Sequence, residues 1–282
     1  MNVLKAVGIA ALVGSLLAEG CVKRSQSEIQ LEQKAQEALP SVAARLEERL
    51  GIQFEELPDV IVSPGSCGSS SISACHDFNF WIDYFNLPIV GDKIIINKPE
   101  VYSEDPKKIP LTLSHELGHH YIKGRAKKLG LRYAYATDDQ KYFDEFTHLL
   151  DEKKANPQSA VIRHDLRDFI DASYLPFSRV LIDRVFYEGI ADYFKGQKSL
   201  PPKKHPETIR SIFNREHLTR VIHSYGFEFM EPLMDQFGVQ PVLDYMLTHE
   251  PRVSGRIRED LSRYQRQMMG ALESERLGIV NK

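Results

Sequence analysis

The chain has 282 residues, with 36 basic and 39 acidic side chains and a formal net charge of −3. That balance provides no basic excess to neutralise a phosphate backbone, which argues against nucleic acid as a partner. A hydrophobic content of 42%, with 14 Phe and 12 Tyr, is ample for a core, so one catalytic-sized domain with elaborations is expected.

In chain order, residues 1–20 come first. Lys5, an apolar run from Ala6 to Leu17 and then Ala18-Glu19-Gly20-Cys21 have the layout of a signal peptide. The run is too short to cross a bilayer comfortably as a helix, so export is expected rather than a spanning anchor. Leu17-Ala18-Glu19-Gly20-Cys21 resembles a bacterial lipobox, which implies lipidation of Cys21 and attachment to a membrane outside the cytoplasm. Ala18 and Glu19 depart from the leucine and small neutral residue preferred there, so secretion with cleavage nearby stays open. Residues 21–56 form a linker and a charge-rich helix. Ile29, Leu31, Ala35, Ala38, Leu39, Val42, Leu46 and Leu50 recur at helical spacing, and a kink is expected at Pro40.

A single domain is assigned to residues 57–282. Pro58 to Val62 reads as a strand, and Gly91 to Asn97 as another. Between them Cys67 and Cys75 flank a Gly- and Ser-rich loop flexible enough to close into a disulfide in an oxidising compartment. With three cysteines in all, that pairing leaves Cys21 as the odd one.

The run Ile109-Pro110-Leu111-Thr112-Leu113-Ser114 places a proline where a first helical turn tolerates it, and Arg125, Lys127 and Lys128 precede Gly130 at the other end. Mid-helix lies His115-Glu116-Leu117-Gly118-His119, an HExxH run. Residues four apart share one helical face, so His115 and His119 can present two imidazoles to one tetrahedral zinc ion. Glu116, beside that face, is placed to take a proton from the attacking water rather than to ligate. A third ligand is needed. Ile122 and Arg125 stand where the metzincin pattern requires glycine and histidine, so that group is excluded.

Residues 131–181 read as a helical insert, with helical signals at Phe143 to Lys153 and Val161 to Ile170. Beyond it, Val185 to Phe194 is an apolar, aromatic helix interrupted by Glu188 and Asp192, four apart on one face. A buried helix carrying two acids needs a cation to satisfy them. HExxH followed by Glu188-Gly189-Ile190-Ala191-Asp192 resembles the gluzincins, the thermolysin-like zinc peptidases, and in particular small members of the peptidase MA-like kind. The resemblance implies one catalytic Zn2+ held by His115, His119 and Glu188, with Asp192 orienting a ligand histidine, expected to be His115.

The same resemblance implies an oxyanion-stabilising tyrosine or histidine near Ser224-Tyr225-Gly226-Phe227. Tyr225 is the first candidate, His223 the second and His217 the third. It also implies that the strand before the zinc helix, Lys93, Ile94, Ile95, Ile96 and Asn97, is a sheet edge that pairs with extended substrate. Arg252 to Leu277 reads as a closing charged helix. The expected fold is α+β and zincin-like, a small mixed sheet packed on the HExxH helix and followed by a mostly helical half. The expected activity is hydrolysis of peptide bonds in a peptide or protein substrate, as an exported endopeptidase. The alternative is an exported or lipid-anchored binding module that keeps zinc without turnover.

Overall fold

Helix α1 (Gln26–Leu50) starts at a reciprocal cap: the Ser25 hydroxyl accepts from the Glu28 backbone N–H, and the Glu28 carboxylate accepts from the Ser25 N–H. It runs on through Pro40 and stops at Gly51, whose φ of 64° favours glycine. The computed structural model describes residues 24–67, 73–77, 92–131, 140–196, 206–212 and 214–279, so the expected signal segment and Cys21 lie outside the described residues. The chain continues through β1 (Asp59–Val62), β2 (Ala74–Asp77), β3 (Lys93–Ile96), α2 (Pro99–Glu104), α3 (Lys108–Lys128) and α4 (Gln140–Ala155). It ends with α5 (Ala160–Lys195), a short 3-10 turn at Ile209–Ser211, α6 (Arg215–Phe237), α7 (Val239–Thr248) and α8 (Ile257–Arg276). The architecture is α+β, mostly helical with a small mixed sheet. Among the described residues no helix is long and apolar enough to cross a membrane.

The sheet has the order β1-β3-β2, with β1 parallel and β2 antiparallel to β3. The expectation that Lys93 to Asn97 is a free edge is therefore wrong. The backbone of β3 is bonded on both sides, and Ile94, Ile95 and Ile96 are all buried, as suits a central strand. Asn97 is buried as well, and its backbone N–H donates to the Ser73 carbonyl. The outer edge of β1 is covered by α1: Gln36 and Glu32 accept from the Val60 and Val62 N–H groups at 2.7 Å. These side-chain acceptors replace a neighbouring strand. Among the described residues, β2 is left as the edge without a strand partner.

Cys67 and Cys75 form the expected disulfide, with Cα atoms 5.9 Å apart, and tie β2 to the segment that follows β1.

α5, from Ala160 to Lys195, consists of two helical stretches that meet at a kink, and it carries Glu188 and Asp192 in its last third. Its one departure is Ser173 (φ −117°, ψ 17°), near Pro176. The proline lacks an N–H for the carbonyl four residues back and crowds it, which bends the rod without ending it. The C-terminus of α5 is held by Arg49 of α1, whose guanidinium donates to the Tyr193 and Phe194 carbonyls.

α5 packs between α3 and α6 at unusually short range. A Cβ on Gly118 of α3 would lie 2.7 Å from the Ala191 Cα, and a Cβ on Gly189 would lie 2.3 Å from the Gly226 carbonyl oxygen of α6. Helices in such contact accept no side chain between them.

Two outcomes follow from the packing and the crosslink. Gly226→Ala should lower unfolding stability by roughly 1–3 kcal/mol, because the new methyl forces α5 and α6 apart; an unchanged urea midpoint would contradict the close crossing. Replacing both Cys67 and Cys75 by Ser should cost about 2–3 kcal/mol, the loop-closure term for so short a ring, read from the same denaturation curves.

Candidate metal centre

Helical periodicity brings the first two groups together. On α3, His115 and His119 face α5 one turn apart, with ring centroids 4.9 Å apart and planes at 81°. Glu188 of α5 meets both: its Oε2 lies 3.2 Å from His115 Nε2 and 3.3 Å from His119 Nε2, while the two Nε2 atoms are 3.3 Å apart. Three donor atoms thus form a nearly equilateral triangle. An ion bound tetrahedrally at about 2.0–2.1 Å has neighbouring ligands about 3.3 Å apart, so this triangle is one face of such a coordination shell. Two imidazole nitrogens and a carboxylate oxygen, with the fourth corner left for water or substrate, suit a borderline divalent ion. The three expected ligands are therefore assembled into a group able to hold a metal.

Asp192, one turn beyond Glu188, is almost fully buried and serves two histidines. Its Oδ1 lies 3.1 Å from His115 Nδ1, which frees His115 Nε2 for the triangle, and its Oδ2 lies 2.9 Å from Nδ1 of His223 on α6. The pairing with His115 was expected. The pairing with His223 was not, and it brings a third helix to the site. His223 Nδ1 is also 3.9 Å from Glu188 Oε2, and its ring centroid is 5.8 Å from that of His115.

Tyr225, the first oxyanion candidate, is not at this site. Its ring is buried edge-on against Phe229, its hydroxyl bonds Arg258, and it faces α8. Two residues along a helix turn the side chain by about 200°, so His223 and Tyr225 cannot face the same partner. His217 is buried in the first turn of α6, nearly two turns before His223.

The electrostatics match the geometry. Glu116, Glu188 and Asp192 place three carboxylates among His115, His119 and His223. Burial by itself would lower the His115 pKa, but the hydrogen bonds to Asp192 and Glu188 and the charge of Glu116 outweigh it and hold the imidazole well above its ordinary value. Burial would raise the Glu188 carboxyl, yet the charge of His119 and the hydrogen bonds to His115 and His119 hold it well below the usual range. Such a cluster takes up positive charge, as protons or as a metal ion. Glu116 differs. Burial is its largest influence, reinforced by the Glu188 charge, and its carboxyl is raised above the ordinary value despite the nearby histidines and a hydrogen bond from the His76 backbone N–H. Glu116 is not a corner of the triangle. Beside it, it is a more basic carboxylate than its neighbours.

Compared with family models, with curated protein sequences and with solved structures, the chain matches none.

If the triangle is a metal site, Glu188→Ala should remove the tightly held divalent ion. Asp192→Asn should keep it with about 10–100-fold lower affinity, because His115 loses its orienting acceptor. Metal analysis of the purified variants checks both, and full metal retention by Glu188→Ala would refute the ligand set.

Proposed function

We propose that the chain is a zinc-dependent peptidase of the gluzincin type, with a zincin-like fold, that hydrolyses peptide bonds as an endopeptidase. The observation that carries this reading is the donor triangle of His115, His119 and Glu188 with Glu116 buried beside it. Bound there, zinc supplies a Lewis acid that polarises the scissile carbonyl and lowers the pKa of the attacking water.

The residues supply the rest. Glu116 takes the proton from the attacking water and passes it to the leaving nitrogen; its raised pKa makes it the carboxylate of the site best matched to that exchange. His223 donates a hydrogen bond to the oxyanion that develops on the carbonyl oxygen. Its Nδ1 is committed to Asp192, which leaves Nε2 for that task. His223 replaces Tyr225 in this role. Burial would lower its pKa, but the hydrogen bond to Asp192 and the charge of Glu188 raise it above the ordinary value, which favours the donor form. Asp192 positions both His115 and His223, linking ligand geometry to oxyanion geometry.

Substrate backbone is proposed to pair with β2 rather than with β3. Among the described residues no strand pairs with the outer side of β2, and its His76 N–H reaches the Glu116 carboxylate, so the strand passes the base. Export, with lipid attachment at Cys21 or secretion, belongs to the same reading and rests on residues 1–21. A silent zinc-binding module would have no use for a buried, basic Glu116 outside the ligand set.

Glu116→Gln should stay folded and keep its metal while losing peptide hydrolysis by roughly 10²–10⁴-fold. His223→Gln should lower kcat about 10²-fold with little change in KM. Both are measured on a diverse peptide library, and undiminished cleavage by Glu116→Gln would sink the mechanism.

A further inference from the structure

His76, Asp92 and His120 lie outside the site described above, yet they repeat its donor chemistry. They come from three elements: His76 from the β2 edge, Asp92 from the residue before β3, and His120 from α3, next in sequence to His119. Each offers one ligand atom, and these atoms all lie within 4.8 Å of one another. The two imidazole rings are 5.4 Å apart between centroids and inclined at 63°, an edge-on relation like that of His115 and His119.

The hydrogen bonding of His120 adds direction. Its Nε2 lies 2.9 Å from the Glu56 carbonyl oxygen. A carbonyl only accepts, so Nε2 carries the proton, and in the neutral ring Nδ1 carries the lone pair. Nδ1 is 3.2 Å from Asp92 Oδ2. A lone pair and a carboxylate oxygen at that distance repel, so the contact needs positive charge between them, supplied by a second ring proton donated to Asp92 or by a metal ion. An N–H held by a backbone carbonyl is also how metal-ligating histidines are commonly oriented. Asp92 divides its oxygens: Oδ1 takes the Lys123 ammonium, and Oδ2 faces His120.

We propose that His76, Asp92 and His120 form a second site for a divalent transition ion, weaker than the first, which ties the β2 edge to α3. Two imidazoles and one carboxylate select a borderline ion of the zinc and cobalt class over calcium or magnesium, which want more oxygens. Lys123 makes the site weak, because its ammonium competes for the same carboxylate and repels a second cation. The ion joins three segments that are distant in sequence. One of them carries the His76 N–H that touches Glu116, so occupancy of the second site steadies the strand beside the base.

The test is a titration of the full chain, stripped of metal, with Co2+ followed by visible absorption. The wild type should saturate in two steps of one equivalent each, with the second at least about tenfold weaker. Asp92→Asn and His76→Gln should each lose the weak step and keep the tight one, and the surviving tight step shows that the variant is folded. Lys123→Met should strengthen the weak step by about tenfold. Glu188→Ala should lose the tight step and keep the weak one, so failure at either site is told apart. A wild type saturated by a single equivalent would overturn the proposal, with a proton on His120 then serving as the cation. So would a weak step that survives in both Asp92→Asn and His76→Gln.

Discussion

The contact on which the rest of the structure depends is the meeting of three helix backbones, α3 against α5 at Gly118 and Ala191, and α5 against α6 at Gly189 and Gly226. With no side chain between them, α3 and α5 bring Nε2 of two histidines and one glutamate oxygen to within 3.2–3.3 Å of one another. Glu188 and Asp192 flank Gly189 and Ala191 on α5, so the residues that allow the approach alternate with the residues that use it. The far ends of the rods are pinned separately. Arg125 of α3 is bonded through two nitrogens to Asp244 of α7, and Arg49 closes the C-terminus of α5.

A second constraint follows from the first. Helices packed that closely shield the groups between them from most of the solvent, and here those groups include three carboxylates, Glu116 and Asp192 buried and Glu188 partly so. A buried anion costs several kcal/mol unless it is paired, so the cluster is stable only with positive charge inside it. The structure distributes that requirement unevenly. Glu188 and Asp192 are held well below their ordinary pKa by the histidines they touch, despite burial, while Glu116 is left with burial as the dominant influence and rises. On the proposed reading one carboxylate is a ligand, one an orienting acceptor and one a base, although the three begin as nearly identical chemistry.

Much of this site was legible in the chain because it is built from short helical spacings. His115 and His119, and Glu188 and Asp192, are pairs four apart, and Gly118 and Gly189 lie inside the same two motifs. The disulfide was legible for a similar reason, since Cys67 and Cys75 close a short loop. What was missed depends on relations between elements. The three isoleucines of β3 favoured at least one buried face, but only pairing with β1 and β2 makes it central and, among the described residues, leaves β2 as the edge. Tyr225 and His223 both fitted the helix after Glu188. The choice between them turns on which face of α6 meets Asp192, and a two-residue offset reverses that face. The cluster of His76, Asp92 and His120 carried no spacing signal, since its members come from a strand, a connection and a helix.

The sequence by itself determined the local chemistry: an HExxH helix, a later helix with two acids on one face, and a closing helical half. Periodicity within one helix is enough for that, because backbone geometry carries side chains i and i+4 to the same side whatever surrounds them. The tertiary structure decided the rest: that Glu188 completes a triangle with the two histidines, that Asp192 serves His223 as well as His115, that β3 is the central strand, and that a second set of donors gathers beside the first. These depend on the distance and rotation between packed elements. Side chains far apart in the chain settle them by fitting together, and no local pattern records that fit.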